Sequence, residues 1–555
     1  MAMKIPKGGF TQLLKDGYQH SQGLDEAVYR NIQATRDMAQ ITRTSLGPNG
    51  RNKLVVNHLE KLFVTSDAAT IVRELEIQHP AAKLLVMASQ RQEAEQGDGT
   101  NLVLVLGGEL LSQAEKLLRM GLHPSDVIAG YTLSLAKTLT VLDELAVADA
   151  AVKDPSNRVA LHTVVQSALA SKQHGYERFL ADLVVDASLH VMPSNPAAFN
   201  VDSVRVVKIL GGSIHHSTVV KGMVFGRQPE GTVKSVRDAK VAVFTCPLDI
   251  SQTETKGTVL LHNAGELLDF SKGEERQLES ALKELADAGV NVVVTGSGVG
   301  ELAQHFLDRY NMLSIKVLSK FDLRRLCRVI GATALARLGA PLPEEMGRCA
   351  AVEAIEIGSD RCTVFRQEAM GTKTSTIVLR GGTQNGIDDL ERAIDDGVNT
   401  IKAIAKEAGQ TGAGRVVAGA GAAEIEAARR LTQLAEKTAG LSQYAMKAFA
   451  QALEVVPRTL AENAGVDATE VLAQLHAAHA SGQTTAGVDI EAVEAGVLDS
   501  VAAGIVDVLN VKRSAVKLAA QAALTILSVD QIIMSKQAGG PKVKPQQQQD
   551  WDEED

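Results

Sequence analysis

Gly97-Asp98-Gly99-Thr100-Asn101 is the stretch on which the reading of this chain turns. The run Ala81 to Ala94 before it is amphipathic. After it, Leu102, Val105, Leu106, Leu110, Ala114 and Leu117 recur at helical spacing, so a second helix opens at about Gly99. A helix N-terminus offers unpaired N–H groups and the positive end of a dipole, which suits an anion. The two glycines let the backbone approach that anion closely, and Thr100 and Asn101 can donate to it. Asp98 would repel a bare phosphate, so a carboxylate there makes sense mainly with Mg²⁺ bridging the two. Taken alone, the same residues also read as a glycine turn between helices with an exposed aspartate.

The rest of the chain bounds the class. Its 555 residues exceed what one core supports and should hold roughly three or four domains. Hydrophobic residues make up 45% and charged residues 22%, a globular balance, while aromatics at 3% favour helices and α/β layers over a β-sandwich. A net charge of −9 argues against a nucleic-acid or anionic-membrane partner. Cys246, Cys327, Cys349 and Cys362 form no C-x-x-C and have no histidine at zinc spacing, so they read as reduced thiols. Met1 to Phe10 lacks the apolar region of a secretory signal, and no apolar run reaches the ~20 residues needed to span a bilayer. The expectation is a soluble, cytoplasmic protein.

Two helical textures flank an α/β middle. Long amphipathic patterns fill Gln12 to Leu145 and return from Ala405 to Met534. Between about Lys208 and Arg380, β-branched runs begin at Val241, Val290, Ile315 and Thr376, separated by helical stretches such as Glu274–Ala288 and Gly300–Tyr310. The simplest account is one helical domain built from both ends, with the middle inserted through joints at 151–207 and Thr376–Ile404. Residues 538–555 are Gly, Pro, Lys, Gln and acid, and read as a disordered tail.

Further elements point to the same chemistry. Leu46-Gly47-Pro48-Asn49-Gly50 follows a helix from about Leu24 to Thr44, and permits a reversal suited to a backbone–phosphate contact or to an ordinary turn. Asp67, in Ser66-Asp67-Ala68-Ala69-Thr70, stands at a plausible N-cap. Glu391-Arg392-Ala-Ile-Asp395-Asp396 places adjacent acids on a helix, which is also what a solvated face looks like. Asp67, Asp98 and Asp396 would meet the needs of phosphoryl hydrolysis on Mg²⁺: one to hold the metal, one to orient water and one to complete the shell. Gly296-Ser-Gly298-Val-Gly300 has the wrong spacing for a dinucleotide turn. His476, His479 and the pair His215-His216 read as polar surface. Neither a P-loop nor a G-x-S-x-G elbow occurs.

Taken in order, Leu46-Gly-Pro-Asn-Gly, Asp67-Ala-Ala-Thr, Gly97-Asp-Gly-Thr-Asn, Glu391-Arg-x-x-x-Asp396, and Ala503-Gly-Ile-Val-Asp507 through Lys512 to Val529-Asp530-Gln-Ile-Ile resemble the signature of the group II chaperonins. The resemblance runs over essentially the whole chain. Val56 to Val64, Ala68, Glu76 to Lys83 and the ending Asp550-Trp-Asp resemble one particular subunit type of the eukaryotic cytosolic branch. The fold implied is multidomain. A mainly α-helical equatorial domain is formed by residues 1–150 and 405–537. A small α/β intermediate domain comprises 151–214 and 374–404, and an α/β apical domain (215–373) carries a helical lid protrusion near Pro247 to Phe270.

The implied activity is ATP hydrolysis driving closure over non-native polypeptides such as actin and tubulin, in a hetero-oligomeric double ring of paralogous subunits. No nucleic acid or membrane is implied, and the cofactors are ATP/ADP and Mg²⁺. The resemblance assigns Leu46, Gly47, Gly99, Thr100, Asn101 and Leu102 to the phosphates, with Ala170, Ser171 and Lys172 near the γ-phosphate. Gly421 and Asp507 would hold the ribose and adenine end. Asp98 would bind Mg²⁺, Asp67 would complete the shell, and Asp396 would be the base that activates water.

Lys320 to Arg328, read as a helix, sets Arg324, Arg325 and Arg328 to one side with Phe321 at its edge, and would form the client-binding face. One departure stands out: Val417-Ala418-Gly419-Ala420-Gly421 replaces the usual V-P-G-G-G, with a methyl at Ala420 and no proline at Ala418. A ring member that binds nucleotide but hydrolyses it weakly is therefore the alternative. A monomeric Mg²⁺-dependent kinase or metabolic ATPase is the rival from another class.

Overall fold

The helical patterns around the Gly97–Asn101 turn and in the last part of the chain fold as their periodicity dictates. Pro80–Gln96 and Thr100–Arg119 are helices, as are Pro124–Glu144, Ala422–Lys437 and Leu509–Leu527. The structure is a computed structural model and describes residues 19–22, 27–148, 150, 152–249, 264–367, 374–492 and 496–534. Residues 535–555, which include the expected tail, and residues 250–263 of the expected lid segment lie outside the described residues. No helix among the described residues is long and apolar enough to cross a membrane.

Both ends of the chain share one core. Val103, Leu106, Leu110, Tyr131 and Leu142 from the first block are buried with Leu431, Phe449, Leu509, Val516 and Ile526 from the last. The Tyr131 ring meets Phe449 edge-on at 5.4 Å, and its hydroxyl donates to the Leu110 carbonyl at 2.8 Å. The strands Gln19–Gln22 and Gln531–Met534 pair antiparallel, so the two ends also meet in the backbone. Helix Pro124–Glu144 crosses helix Ser442–Leu453 closely at Gly130, where an added Cβ would lie 2.4 Å from that of Ala445. The helical reading of these ends missed three small pairings. They are Lys53–Val56 with Leu62–Thr65, Val416–Ala418 with Val506–Val508, and Ala486–Val488 with Val497–Asp499. Each strand has only three or four residues, too few to set up a period of two against the surrounding helical pattern.

The middle is a nine-stranded mixed sheet. Its order runs Val204–Leu210, Ser375–Gly381, Thr218–Phe225, Asp360–Arg366, Gly347–Ile357, Ser235–Phe244, Val292–Thr295 and Leu313–Lys316, with Ala334–Leu335 beside Ser235–Phe244. The outer pairs are parallel and the central ones antiparallel. The four β-branched runs of the sequence are all strands. The hairpin of Gly347–Ile357 with Asp360–Arg366 was not among them, because alanines and glutamates carry little strand preference of their own. Helices Glu301–Arg309 and Lys320–Ile330 join separate cores on the sheet. A further core binds helices Arg158–Ala170, Glu177–Val191 and Gln384–Thr411 to strand Ser375–Gly381. Gly300 is packed against Asp249, and Val299 bridges Leu248, so the 296–300 turn is occupied by its own chain.

Helix Lys320–Ile330 buries Leu323, Leu326, Val329 and Ile330. Phe321 stands 71% exposed, with Arg324 and Arg328 exposed on the same side. Arg325 departs from the expected face. It pairs with Asp202 at 3.5 Å and Asp322 at 3.3 Å, because Asp322 lies one turn earlier and is itself tied to Arg205.

The crossing at Gly130 makes a clear prediction. Gly130→Val should destabilise the full chain by about 2 kcal/mol through overpacking, read as a lower urea midpoint. An unchanged midpoint would show that the two ends are not held together there.

Candidate functional site

The Gly97–Asn101 turn is built for close approach. Gly97 ends helix Pro80–Gln96 at φ 74°, and Gly99 caps helix Thr100–Arg119 at φ 79°, a left-handed pair that side chains resist. A Cβ on Gly97 would collide with Asn399 at 2.3 Å, so the glycine lets helix Gln384–Thr411 lie directly on the turn. Gln92 fixes the turn from beneath, donating to the carbonyls of Asp98 at 2.8 Å and Val511 at 3.2 Å. The first N–H groups of helix Thr100–Arg119 have no intrahelical acceptor and open toward a cavity of about 780 Å³.

That cavity is lined by Leu46, Gly47, Asp98, Gly99, Thr100, Asn101, Leu102, Ala170, Ser171, Lys172, Ala420, Gly421 and Asp507. Asp67 and Asp396 do not line it, and reach it through Lys172. The Lys172 ammonium lies 2.8 Å from Asp396 Oδ2, 3.5 Å from Asp67 Oδ1 and 4.0 Å from Asp98 Oδ1. Three segments separated in sequence thus deliver their carboxylates to one point. Phe321, Arg324, Arg325 and Arg328 sit on the helix beside the sheet and take no part in this cavity.

Each carboxylate is set differently. Asp67 caps helix Ala68–Glu74, accepting from Ala69 N at 3.3 Å and from Thr70 N and Oγ1 at 2.9 and 2.7 Å. Burial pushes its carboxyl up, but Lys172 and these donors outweigh it, leaving the group below the ordinary aspartate value. Asp98 is raised by burial against the pull of Lys172. Asp396 is raised well above the ordinary value by burial, opposed by Lys172 and reinforced by Asp98 and Asp67. Lys172 keeps its proton, because three carboxylates more than offset its own burial.

The acids of 391–396 are not one solvated face. Asp396 is buried, and Glu391 pairs with Lys208 at 2.7 Å. Burial first, then Glu391, pushes Asp395 up to about 6.

The donor set suits Mg²⁺. Its oxygens are hard carboxylates, and Mg²⁺ commonly takes one or two of these plus phosphate oxygens and water. No three described acidic, cysteine or histidine groups are arranged to hold a metal by themselves, and the Lys172 ammonium lies between the three carboxylates. A metal at Asp98 would therefore draw its remaining ligands from a bound phosphate.

Several groups in and around the site escaped the sequence reading. Lys512 lines the cavity and pairs with Glu424 at 2.9 Å and Asp507 at 2.6 Å. Burial first, with Asp67 adding to it, pushes Glu93 up to about 7. Asn463 holds the 46–50 turn, donating to the Leu46 carbonyl at 2.8 Å. His479 is not polar surface but fully buried, with Nδ1 3.1 Å from Glu426 Oε2 and Nε2 2.9 Å from the Ala486 carbonyl. A lysine on the buried face of an Ala-rich helix was the one legible signal, at Lys512.

Comparison with known proteins gives a consistent result. The model of the TCP-1/cpn60 chaperonin family matches residues 38–537. The chain is similar to the probable T-complex protein 1 subunit theta of Schizosaccharomyces pombe, at 55% identity over the whole of both chains. It is similar also to the T-complex protein 1 subunits theta of Bos taurus and Homo sapiens, each at 52% identity over the whole of both chains.

Ala420 has a left-handed backbone, φ 52°, beside Gly421 at φ 80°. Its methyl is directed at Gly487, where an added Cβ would lie 2.8 Å from it, and its carbonyl accepts from Val488 N at 3.0 Å. The consequence of the alanine is thus backbone strain in the cavity wall. Ala420→Gly should stabilise the chain by about 1 kcal/mol, less the entropy glycine loses on folding, read as a higher urea midpoint. A lower midpoint would mean that the methyl packing against Gly487 outweighs the strain.

Proposed function

The chain belongs to the TCP-1/cpn60 chaperonin family, and we propose from that premise that its cavity binds Mg·ATP and hydrolyses it as one subunit of a cytoplasmic, hetero-oligomeric double ring. The observation that carries this reading is the convergence of Asp67, Asp98 and Asp396 on Lys172 beside the open N-terminus of helix Thr100–Arg119. Residues 1–150 and 405–537 form the equatorial part, 151–214 and 374–404 the intermediate part, and 215–373 the apical part. The common core of the two ends, and the separate cores on the sheet, support this layout.

The roles follow from the chemistry of each group. Leu46, Gly47 and Gly99 to Leu102 border the phosphate end, where backbone N–H groups receive anionic oxygens. Asp98 is the metal ligand, and Mg²⁺ when bound offsets phosphate charge and polarises the transferred group. Asp396 orients and deprotonates the attacking water, held beside the cavity by its 2.8 Å contact with Lys172. Asp67 completes the shell, while Ala170, Ser171 and Lys172 border the γ-phosphate. Ser171 Oγ donates to the Ala168 carbonyl at 2.7 Å, so it must rotate from that carbonyl to donate to a phosphate oxygen. Gly421 and Asp507 border the sugar and base.

The alternative of a weakly hydrolysing ring member drew on Ala418 and Ala420. The full set of three carboxylates with Lys172, and a methyl aimed at Gly487, favour the hydrolysing reading. The non-native polypeptides on which such a ring acts, actin and tubulin among them, would meet Phe321, Arg324 and Arg328. Arg325 supports that helix through its pairs to Asp202 and Asp322.

Two experiments test this. Asp396→Ala should lower hydrolysis by this subunit at least about a hundredfold with nucleotide affinity nearly unchanged, whereas Asp98→Ala should weaken Mg·ATP binding itself. Equal losses of affinity with turnover per bound nucleotide preserved would contradict the assignment. Native mass far above the 58.8 kDa of one chain is expected throughout.

On the client side, reversing Arg324 and Arg328 to Glu should weaken capture of acidic unfolded chains, more at low salt than at high, without altering assembly. Crosslinks confined to the equatorial part would rule this face out.

A further inference from the structure

We propose that Lys512, anchored by Glu424, is the positioning residue that holds Asp507 toward the sugar of a bound nucleotide. By this means the cavity distinguishes a ribonucleotide from its deoxy counterparts. The inference rests on the reading that the cavity takes a nucleotide, and adds to it a specificity determinant.

Three separate elements bring these groups together. Asp507 lies on strand Val506–Val508, Lys512 in the first turns of helix Leu509–Leu527, and Glu424 in the first turn of helix Ala422–Lys437, just beyond Gly421. All three residues line the cavity. The Lys512 and Glu424 side chains are only 6% and 3% exposed, while Asp507 is 41% exposed. Lys512 Nζ lies 2.6 Å from Asp507 Oδ2, and 2.9 and 3.1 Å from the two oxygens of Glu424.

The partners of the lysine define its role. An ammonium has three N–H donors and no acceptor. Two of them are committed, to Oε2 of Glu424 and Oδ2 of Asp507, so the lysine joins a buried carboxylate to one at the cavity surface. Lys512 is therefore first a holder of Asp507. Its contact commits Oδ2 of Asp507 and leaves Oδ1 as an acceptor at the cavity surface.

The groups on a nucleotide that can donate to a carboxylate are the sugar hydroxyls and the base amine, since phosphate oxygens only accept. A site that hydrogen-bonds a hydroxyl discriminates against the analogue that lacks it, less strongly where water reaches the acceptor, as it does the partly exposed Asp507, than where the acceptor is buried. Stability alone does not account for the arrangement. A buried ion pair is often no more stabilising than apolar side chains of similar volume, and a methionine here would fill the wall. What methionine would not do is stop Asp507 turning away from the buried Glu424 carboxylate beside it.

The test uses the full-length chain with Mg²⁺, measuring dissociation constants for ATP, 2′-deoxyATP and 3′-deoxyATP by equilibrium dialysis. The unaltered chain should prefer ATP to at least one deoxy form by roughly tenfold or more. In Lys512→Met that ratio should fall close to one, and Lys512→Arg should restore most of it.

An unchanged ratio in Lys512→Met, even with weaker binding overall, would overturn the proposal, because a purely structural role lowers all affinities together. Equal affinities for all three nucleotides in the unaltered chain would also overturn it while leaving the nucleotide reading intact. Absence of ATP binding would remove both. Should Lys512→Met fail to fold, Glu424→Gln, which loosens the anchor and keeps the ammonium, should lower the same ratio. An unchanged ratio there would count against the proposal equally.

Discussion

A single ammonium among three carboxylates is the constraint on which this molecule is organised. Lys172 meets Asp396, Asp67 and Asp98 at 2.8, 3.5 and 4.0 Å in a poorly hydrated wall. Each attraction amounts to several kcal/mol at an effective dielectric constant of about 20, yet one positive charge cannot neutralise three negative ones. Burial raises the proton affinities of Asp98 and Asp396, against the pull of Lys172, and the neighbouring carboxylates add to it. The cluster is short of positive charge, so it favours whatever cation enters beside Asp98. The same shortage repels a phosphate arriving without its metal. On the proposed reading, a preference for a metal-complexed phosphate would follow from this charge balance, before any contact to the rest of a ligand is considered.

Bringing those carboxylates together requires the chain's topology. Asp67 and Asp98 come from helices that share a core with the last third of the chain. Asp396 arrives on Gln384–Thr411, a helix that follows Ser375–Gly381, the second strand of the sheet, and packs against Arg158–Ala170 and Glu177–Val191. Gly97 admits Asn399 to the turn, one helical turn beyond Asp396. Close approach of the long helix and placement of the third carboxylate are therefore one structural event. Thr65 and Gln173 both bond Asp389 on the same helix, adding a second tether beside the charged one.

Much of this was legible in the sequence because the key residues are punctuation. Gly97, Gly99, Gly47 and Gly421 interrupt helical patterns, and an aspartate stands beside two of these turns or at a cap. Such positions stand out without any knowledge of tertiary contacts. The supporting residues did not stand out. Glu424, Glu426 and His479 lie on helices where a polar residue normally faces water, and nothing local shows that each meets a buried partner some fifty or more positions away. The short strands that close the cavity wall were lost for a related reason. Three residues of Ala486–Val488 define no period, and pairing with Val497–Asp499 is decided by the surrounding core. Arg325 shows the reverse limit: helical spacing placed it near its neighbours, and an acid one turn earlier drew it away.

The Asp396–Lys172 pair gives the fold a way to couple chemistry to movement. Swinging the helix Gln384–Thr411 outward would separate two buried charges, and an uncompensated buried charge is strongly destabilising. The open arrangement is tolerable only where water or a ligand replaces the lost partner. On the proposed reading, a metal–phosphate held beside Asp98 would supply that replacement on the Lys172 side, since the ammonium can turn from carboxylate to phosphate oxygen at little net electrostatic change. The helix would then no longer be tied to Lys172 and could bring Asp396 against water. On the proposed nucleotide reading, Lys172 would be the exchangeable element, able to leave Asp396 for a phosphate oxygen. The sheet-bearing part, joined to this helix through Ser375–Gly381, would then respond to a cavity that it does not itself line.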